Sequence, residues 1–210
     1  MKTALIWGAS GGIGRALTEL LDRRAWTVVG VSRHPDDLAD LTPHAIKADV
    51  TDAGQVRRAV EMVGRVVPEV DLFVYAAGKI TSDRVKHLDA DAWHTVLAAN
   101  LTGAFLTTQA SLDVLSSSAH LVYIGAYDER LRLPGLSAYA ASKAGLEAFT
   151  EVLAKEHRRM RVTLVRPAAV DTAFWDQVSF KLPSGALMPV ALAEQILEAY
   201  ESDHSGTLDL

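Results

Sequence analysis

Two residues that could do chemistry, Tyr139 and Lys143, lie four positions apart in the run Tyr-Ala-Ala-Ser-Lys, which reads as the start of a helix. At that spacing both side chains lie on one helical face. An ammonium beside a phenol stabilises the phenolate and lowers a pKa that is ordinarily near ~10. The pair is therefore a candidate general acid and base, although ordinary solvated helices contain the same spacing.

The composition is that of a folded globular protein. The 210 residues are enough for one substantial core, and 49% of them are hydrophobic and 22% charged. The net charge of −5 disfavours a surface for nucleic acid or anionic membrane, and the lack of cysteine excludes disulfides and thiol catalysis.

No run approaches the ~20 apolar residues of a bilayer span, so we expect a cytoplasmic protein. The histidines do not cluster, and we expect no metal.

Short apolar runs alternate with longer amphipathic runs along the chain. The predicted strands are Ala4–Trp7, Thr27–Val31, Ala45–Ala48, Asp71–Tyr75, His120–Ile124, Arg161–Val165 and Thr207–Leu210. The predicted helices are Ile13–Arg24, Ala53–Val66, Ala90–Leu115, Ala138–His157 and Val190–Tyr200. This alternation predicts an α/β, Rossmann-type, doubly wound parallel sheet of about seven strands, with helices on both faces. Ligands bind beyond the carboxyl ends of the strands in such a sheet.

A glycine-rich loop stands between the first predicted strand and the first predicted helix. It reads Gly8-Ala-Ser-Gly-Gly-Ile-Gly14 and supplies the candidate cofactor-binding residues Gly8, Ser10, Gly11, Gly12, Ile13 and Gly14. Glycines let backbone N–H groups approach a pyrophosphate, and a helix N-terminus adds a partial positive charge. We therefore expect residues 1–210 to form a single dinucleotide-binding domain.

The end of the second predicted strand indicates which dinucleotide is preferred. A carboxylate there would bind the ribose 2′-hydroxyl of NAD, but the chain has Ser32 and Arg33. Asp36 and Asp37 follow Pro35, too far along the loop. A guanidinium binds a 2′-phosphate well. Ser32 and Arg33 therefore favour NADP(H), with NAD(H) still possible and a solvated loop arginine as the alternative.

Together these motifs resemble the short-chain dehydrogenase/reductase family. The resemblance rests on the glycine loop, Asp49-Val50, Ala77-Gly78, Asn100 in Asn-Leu-Thr-Gly, Tyr139 with Lys143, Pro167 and Thr172. It implies that Tyr139 is a general acid toward a carbonyl oxygen while NADPH delivers hydride. It implies that Lys143 holds the nicotinamide ribose and stabilises the phenolate, and that the Asn100 carbonyl holds a water of the proton relay. Asp49 and Val50 would lie beside the adenine, and Ala77, Gly78, Pro167 and Thr172 would line the cofactor site.

The sequence departs from the family's pattern at the residue that bonds the substrate oxygen. The family has a serine thirteen residues before its tyrosine, where this chain has Ala126. Loss of such a donor typically slows turnover by about 10²–10³. Tyr127 would replace the serine only if the loop turns directly after the strand; otherwise its ring lines the cleft. An oxidoreductase slowed by Ala126 is the leading interpretation, and a catalytically impaired NADP(H) sensor on the same fold is the alternative.

Two expectations concern the surroundings of the site. Residues 173–188 form a short segment in which Phe174, Trp175, Phe180 and Leu187 either make an apolar lid over the substrate or simply cover the core. The family pairs the helices that carry Asn100 and Tyr139 between subunits. The resemblance therefore implies a homodimer or homotetramer, whereas the small residues around Tyr139 would equally allow close packing within one chain.

Overall fold

The computed structural model describes residues 1–127 and 132–210. Its strands are β1 (Thr3–Trp7), β2 (Thr27–Ser32), β3 (His44–Lys47), β4 (Val70–Tyr75), β5 (Leu115–Ile124), β6 (Arg161–Arg166) and β7 (Gly206–Asp209). They form one sheet in the order β3-β2-β1-β4-β5-β6-β7, and every pairing is parallel. The predicted seven-stranded, doubly wound parallel sheet is confirmed.

Helices cover both faces of this sheet. They are α1 (Gly12–Arg23), α2 (Ala53–Val66), α3 (Ala90–Leu97), α4 (Gly103–Ser111), α5 (Ser137–Glu156) and α6 (Pro189–Glu201). Side chains alternate along a strand, so β1 contributes to two cores. Leu5 and Trp7 pack on the side of α2, α4 and α5, whereas Ala4 and Ile6 pack on the side of α1 and α6.

The predicted helix Ala90–Leu115 is wrong as a single element. The chain forms α3, then a wider π turn at Ala98–Thr102, then α4 and a 3-10 turn at Leu112–Val114. Strand β5 begins at Leu115, five residues before the predicted His120, because the Ser116–Ser118 run gave no apolar signal. The π turn contains Asn100, in line with asparagine's poor fit to a regular helix.

Further short turns connect the main elements. Pro35–Leu38 forms a 3-10 turn that begins, as Pro-Asp-Asp suggests, at the proline, and Ala173–Gln177 forms another after β6. No helix in the described part of the chain is long and apolar enough to cross a membrane.

Candidate active site

A cleft of about 650 Å³ lies at the carboxyl ends of the strands, a volume typical of small-molecule sites. It brings together nearly all the residues predicted to bind the cofactor. These are Gly8, Ser10, Gly11, Gly12, Ile13, Ser32, Arg33, Asp49, Val50, Ala77, Gly78, Tyr139, Lys143, Pro167 and Thr172. Two predicted residues do not line it. Gly14 is buried in the first turn of α1, and Asn100 is fully buried behind the wall.

The glycine loop turns sharply between β1 and α1. Gly8 has φ +84°, and a Cβ atom there would lie 2.5 Å from the backbone nitrogen of Ala77. Only glycine allows this angle and this approach at low cost. Helix α1 then begins at Gly12, so its N-terminal end, with its partial positive charge and unpaired N–H groups, faces the cleft. This arrangement suits a pyrophosphate.

The serine of the loop is bonded to the end of β2. The hydroxyls of Ser10 and Ser32 lie 2.5 Å apart, and the backbone N–H of His34 donates to Ser32 Oγ at 3.0 Å. Both serines, although predicted as direct cofactor ligands, therefore also join the loop to the strand. Arg33, next along the chain, is exposed at the rim of the cleft.

A second arginine near this rim was not predicted. Arg15 in α1 donates to the Asp37 carbonyl oxygen and forms a 2.6 Å ion pair with Asp40. Asp37 and Asp40 follow Pro35 in the chain. Like Asp36, neither of them lines the cleft. The carboxylates nearest the end of β2 therefore do not lie where a ribose 2′-hydroxyl would meet them.

Lys143 is the most deeply buried charge in the cleft wall. Only 6% of it is exposed, and its Nζ donates a 2.6 Å hydrogen bond to the Ile124 carbonyl oxygen at the end of β5. Burial lowers its pKa to about 8 because desolvation disfavours the ammonium. The Nζ lies 5.6 Å from the centre of the Tyr139 ring, so the spacing of four residues does place the two groups on one face.

The expectation that Lys143 lowers the pKa of Tyr139 is wrong for this arrangement. Tyr139 keeps some surface open to the cleft, yet the protein atoms around it desolvate the phenolate and raise the pKa of its phenol above the ordinary value. Burial is thus the dominant effect on the phenol, and the hydrogen bond of the Lys143 ammonium is directed at Ile124 rather than at the phenol. Tyr139 is therefore protonated at neutral pH, as a proton donor must be.

Asn100 is held by three hydrogen bonds to its side chain. The Lys79 backbone N–H donates to Oδ1 at 2.7 Å, and Nδ2 donates to the Lys79 carbonyl at 2.9 Å and to Ser142 Oγ at 2.8 Å. Ser142 in turn donates to the Tyr139 carbonyl at 2.7 Å. Ser142 was not among the predicted site residues, yet it is fully buried and links Asn100 to Tyr139.

The place of the family's serine is part of the cleft wall. Ala126 and Tyr127 both line the cleft, directly after Gly125, whose N–H donates to Val165 at the end of β6. Ala126 presents a methyl group there and no donor. Residues 128–131, Asp128 among them, lie outside the described residues.

Only part of the segment after Thr172 lies over the cleft. The Phe174 ring lies 5.8 Å from the Tyr139 ring, and Phe174 and Trp175 both line the cleft. Leu187 instead pairs its backbone with residues 169–171, and Phe180 is not part of the cleft wall. Of the four apolar residues proposed as a lid, the two after Thr172 are in a position to cover the site.

Comparison with known proteins shows which family has this arrangement of site residues. Residues 2–182 match the family described as short chain dehydrogenase. The chain belongs to the short-chain dehydrogenase/reductase family. It is 34% identical to carbonyl reductase family member 4 of Danio rerio over 181 residues, which cover 81% of this chain and 76% of that protein. It is 28% identical to an uncharacterised oxidoreductase of Staphylococcus aureus over 183 residues, 82% of this chain and 79% of that protein.

Solved short-chain dehydrogenase/reductase structures share the whole architecture. An alcohol dehydrogenase from the archaeon Thermococcus sibiricus, complexed with 5-hydroxy-NADP, superimposes with a TM-score of 0.90 at 28% identity. The match covers 100% of this chain and 96% of that one. The chain is thus an oxidoreductase of this family, and its glycine turn and helix terminus fit the NAD(P) that the family binds.

Proposed function

We propose that this protein transfers hydride between NADP(H) and a carbonyl or alcohol substrate, with Tyr139 as the general acid and base. The observation that supports this most is one continuous cleft that runs from the glycine loop at Gly8–Ile13 to the pair Tyr139 and Lys143. The glycine end suits a phosphate-bearing cofactor, and the other end holds a protonated phenol beside an amine. A cofactor bound at one end would place its reactive ring near the acid at the other.

Each residue of the site has a distinct task in this proposal. NADPH, when bound, supplies the hydride. Tyr139 donates its proton to the developing alkoxide and takes it back in the reverse direction. Lys143, whose pKa is lowered by its burial, binds the ribose next to the nicotinamide and passes protons. Asn100, fixed through Lys79 and Ser142, presents a backbone carbonyl to the water of the relay.

The preference for NADP(H) rests on charge at the rim. Arg33 is exposed at the cleft, and no carboxylate lines the wall beside Ser32. Among the described residues, Asp49 is the one carboxylate of the wall, and its Oδ1 already accepts from the N–H and hydroxyl of Thr51 at 2.9 and 2.7 Å. An anionic 2′-phosphate bound there would therefore meet a guanidinium rather than a competing acid.

An apolar substrate suits the far end of the cleft. Ile80, Leu136, Phe174 and Trp175 line the cleft around Tyr139, and the charged wall residues besides Lys143 are Lys79, Arg33 and Asp49 among the described residues. Burial of apolar surface contributes about 25 cal/mol per Å². We propose a small apolar aldehyde, ketone or alcohol.

The test is NADPH oxidation against a panel of apolar aldehydes and ketones by wild type and by Tyr139→Phe. We expect turnover in the wild type and a loss of at least about 10³-fold in the variant, because the proton donor is gone. Quenching of protein fluorescence should show that both proteins bind NADPH alike. Equal, background-level rates in both proteins would overturn the proposal.

A nucleotide sensor is the second candidate, because Ala126 provides no donor where a substrate oxygen would lie. A sensor would bind NADPH tightly but show no turnover with any substrate, and Tyr139→Phe would then change nothing in that assay.

We also propose that the protein works in the cytoplasm as a homodimer or homotetramer. The support is an exposed apolar strip on α4 and α5, where Phe105 is 44% and Val152 51% exposed and Phe105 packs edge-on against Phe149. Exposed apolar patches commonly mark interfaces. Light scattering of wild type and of Phe105→Glu tests this: a wild-type monomer would contradict it.

A further inference from the structure

Tyr75, the last residue of β4, is a buried phenol close to the cleft that the mechanism above does not use. It is 1% exposed, and its Oη donates a hydrogen bond to the Ala99 carbonyl. Ala99 itself lines the cleft and immediately precedes Asn100.

The Ala99 carbonyl needs this partner because the helix does not supply one in the usual way. In a regular α-helix the N–H of Gly103 would donate to the carbonyl four residues back, that of Ala99. Here it donates to Ala98, five residues back, as a π turn requires. The phenol of Tyr75 takes the place of the displaced donor, and leaving this partly buried carbonyl without one would be costly.

Gly103 leaves the space in which the Tyr75 hydroxyl reaches the Ala99 carbonyl. A Cβ atom at residue 103 would lie 2.5 Å from Tyr75 Oη, much closer than atoms approach without displacement. It would also lie 3.0 Å from Val50 and 3.2 Å from the Ala98 carbonyl. The phenol and the glycine therefore fit each other across the π turn.

Burial also keeps the phenol in the form that donates. Desolvation, with the nearby charge of Asp49 as the next cause, raises the pKa of Tyr75 far above its ordinary value. The hydroxyl thus stays protonated throughout the range in which the protein would work.

We propose that Tyr75 is a positioning residue that holds the π turn open and thereby fixes Asn100 in the site. This inference rests on the proposed function for what Asn100 does, but not for the turn itself. Without the phenolic donor, Ala99 would compete for the Gly103 N–H, the turn would tend toward a regular helix, and Asn100 would rotate away from Lys79 and Ser142.

The first test measures the turn directly. Hydrogen exchange of the segment 97–104 is compared in wild type, Tyr75→Phe and the control Tyr123→Phe. Tyr123 is a fully buried tyrosine of the same core whose Oη bonds Thr108 at 2.6 Å, away from the π turn. We expect about tenfold faster exchange in this segment for Tyr75→Phe only, as for loss of one buried hydrogen bond. Equal exchange in the two variants would overturn the inference.

The second test measures the consequence for the site. Tyr75→Phe should lower kcat about tenfold while the Kd for NADPH changes less than about threefold, because the relay is displaced and the cofactor cradle is not. Tyr123→Phe should keep wild-type kcat. A tenfold loss in both variants would mean a structural role only. A wild type without turnover would overturn the proposed function, and the exchange test would still decide whether Tyr75 holds the turn.

A double-mutant cycle tests the fit between the two residues. Gly103→Ala should destabilise the wild type more than it destabilises Tyr75→Phe, because the contact with Oη exists only in the wild type. The contacts with Val50 and Ala98 are the same in both backgrounds. Equal destabilisation would show that the phenol and the glycine are independent, and would contradict the inference.

Discussion

Ser142 Oγ accepts a 2.8 Å hydrogen bond from Asn100 Nδ2 and donates a 2.7 Å bond to the carbonyl of Tyr139. One hydroxyl thus joins the π turn to the first two turns of α5, which carry the acid and the amine. Ser142 and Tyr139 are three residues apart on one helix, whereas Asn100 is 42 residues away in sequence. The packing of α3 and the π turn against α5 brings Asn100 to Ser142.

Ser142→Ala should impair catalysis and stability together. The variant leaves the Asn100 amide and the Tyr139 carbonyl each short of one partner, which costs about 1–3 kcal/mol for a buried group. We expect a lower unfolding midpoint and a kcat reduced by about tenfold, measured by urea titration and NADPH oxidation. Ser111→Ala is the matched control, since Ser111 Oγ is equally buried and has no partner among the described residues. Similar losses in both variants would contradict the link.

Ala126→Ser should restore the missing donor. If the absent hydroxyl limits the rate, kcat rises by about 10²-fold at the carbonyl substrate, because one donor to an oxyanion is typically worth that much. The gain should vanish in Ala126→Ser combined with Tyr139→Phe. An unchanged kcat would mean that Tyr127 or a water already provides the bond, and Tyr127→Phe would then show which of the two it is.

Arg33→Ala should weaken NADPH binding selectively. We expect about a tenfold higher Kd for NADPH and less than a twofold change for NADH, because the guanidinium would meet only the 2′-phosphate. Fluorescence titration measures both. Arg65→Ala removes an exposed arginine at the far end of α2 and should leave both values unchanged. A wild type that binds NADH as tightly as NADPH would contradict this role.

Cofactor binding should weaken as the pH rises through about 8. Burial lowers the pKa of Lys143 to about 8 from 10.5, so above that pH the free protein loses the positive charge that would bind the cofactor. We expect the Kd for NADPH to rise about tenfold between pH 7 and 9.5, as for loss of a charge-assisted bond. Lys143→Met should bind more weakly and show no such dependence. A dependence that survives in Lys143→Met would assign it to another group.

Acid should destabilise the protein through His120. Burial, assisted by the charges of Arg161 and His204 and opposed by Asp203, lowers its pKa to about 4 from 6.5. Between these values the unfolded chain binds a proton that the folded chain does not, so the free energy of unfolding falls as the pH falls from 6.5 to 4. At about 1.4 kcal/mol per pKa unit, the loss is roughly 3 kcal/mol.

Urea titrations at several pH values measure this loss. His120→Gln keeps a donor for Thr163, which the His120 Nε2 contacts at 2.7 Å, and should reduce the pH dependence. His87→Gln removes an exposed histidine and should keep it. The same slope in His120→Gln as in wild type would exclude this assignment.

The sequence alone determined the parallel sheet, the glycine loop and the nearness of Tyr139 to Lys143. These follow from alternating apolar runs, from a loop fixed between adjacent elements, and from helical spacing, all of which are local in the chain. The fold and the resemblance to the family therefore follow from local patterns in the chain.

Only the tertiary structure decided how Tyr139 and Lys143 are protonated and oriented. Desolvation of Tyr139 and the bond of Lys143 to Ile124 depend on atoms far away in sequence. The same holds for the π turn, whose displaced carbonyl is bonded by Tyr75 from another strand. Spacing therefore reveals which groups are near each other, whereas their protonation and orientation depend on buried partners that only the folded chain brings together.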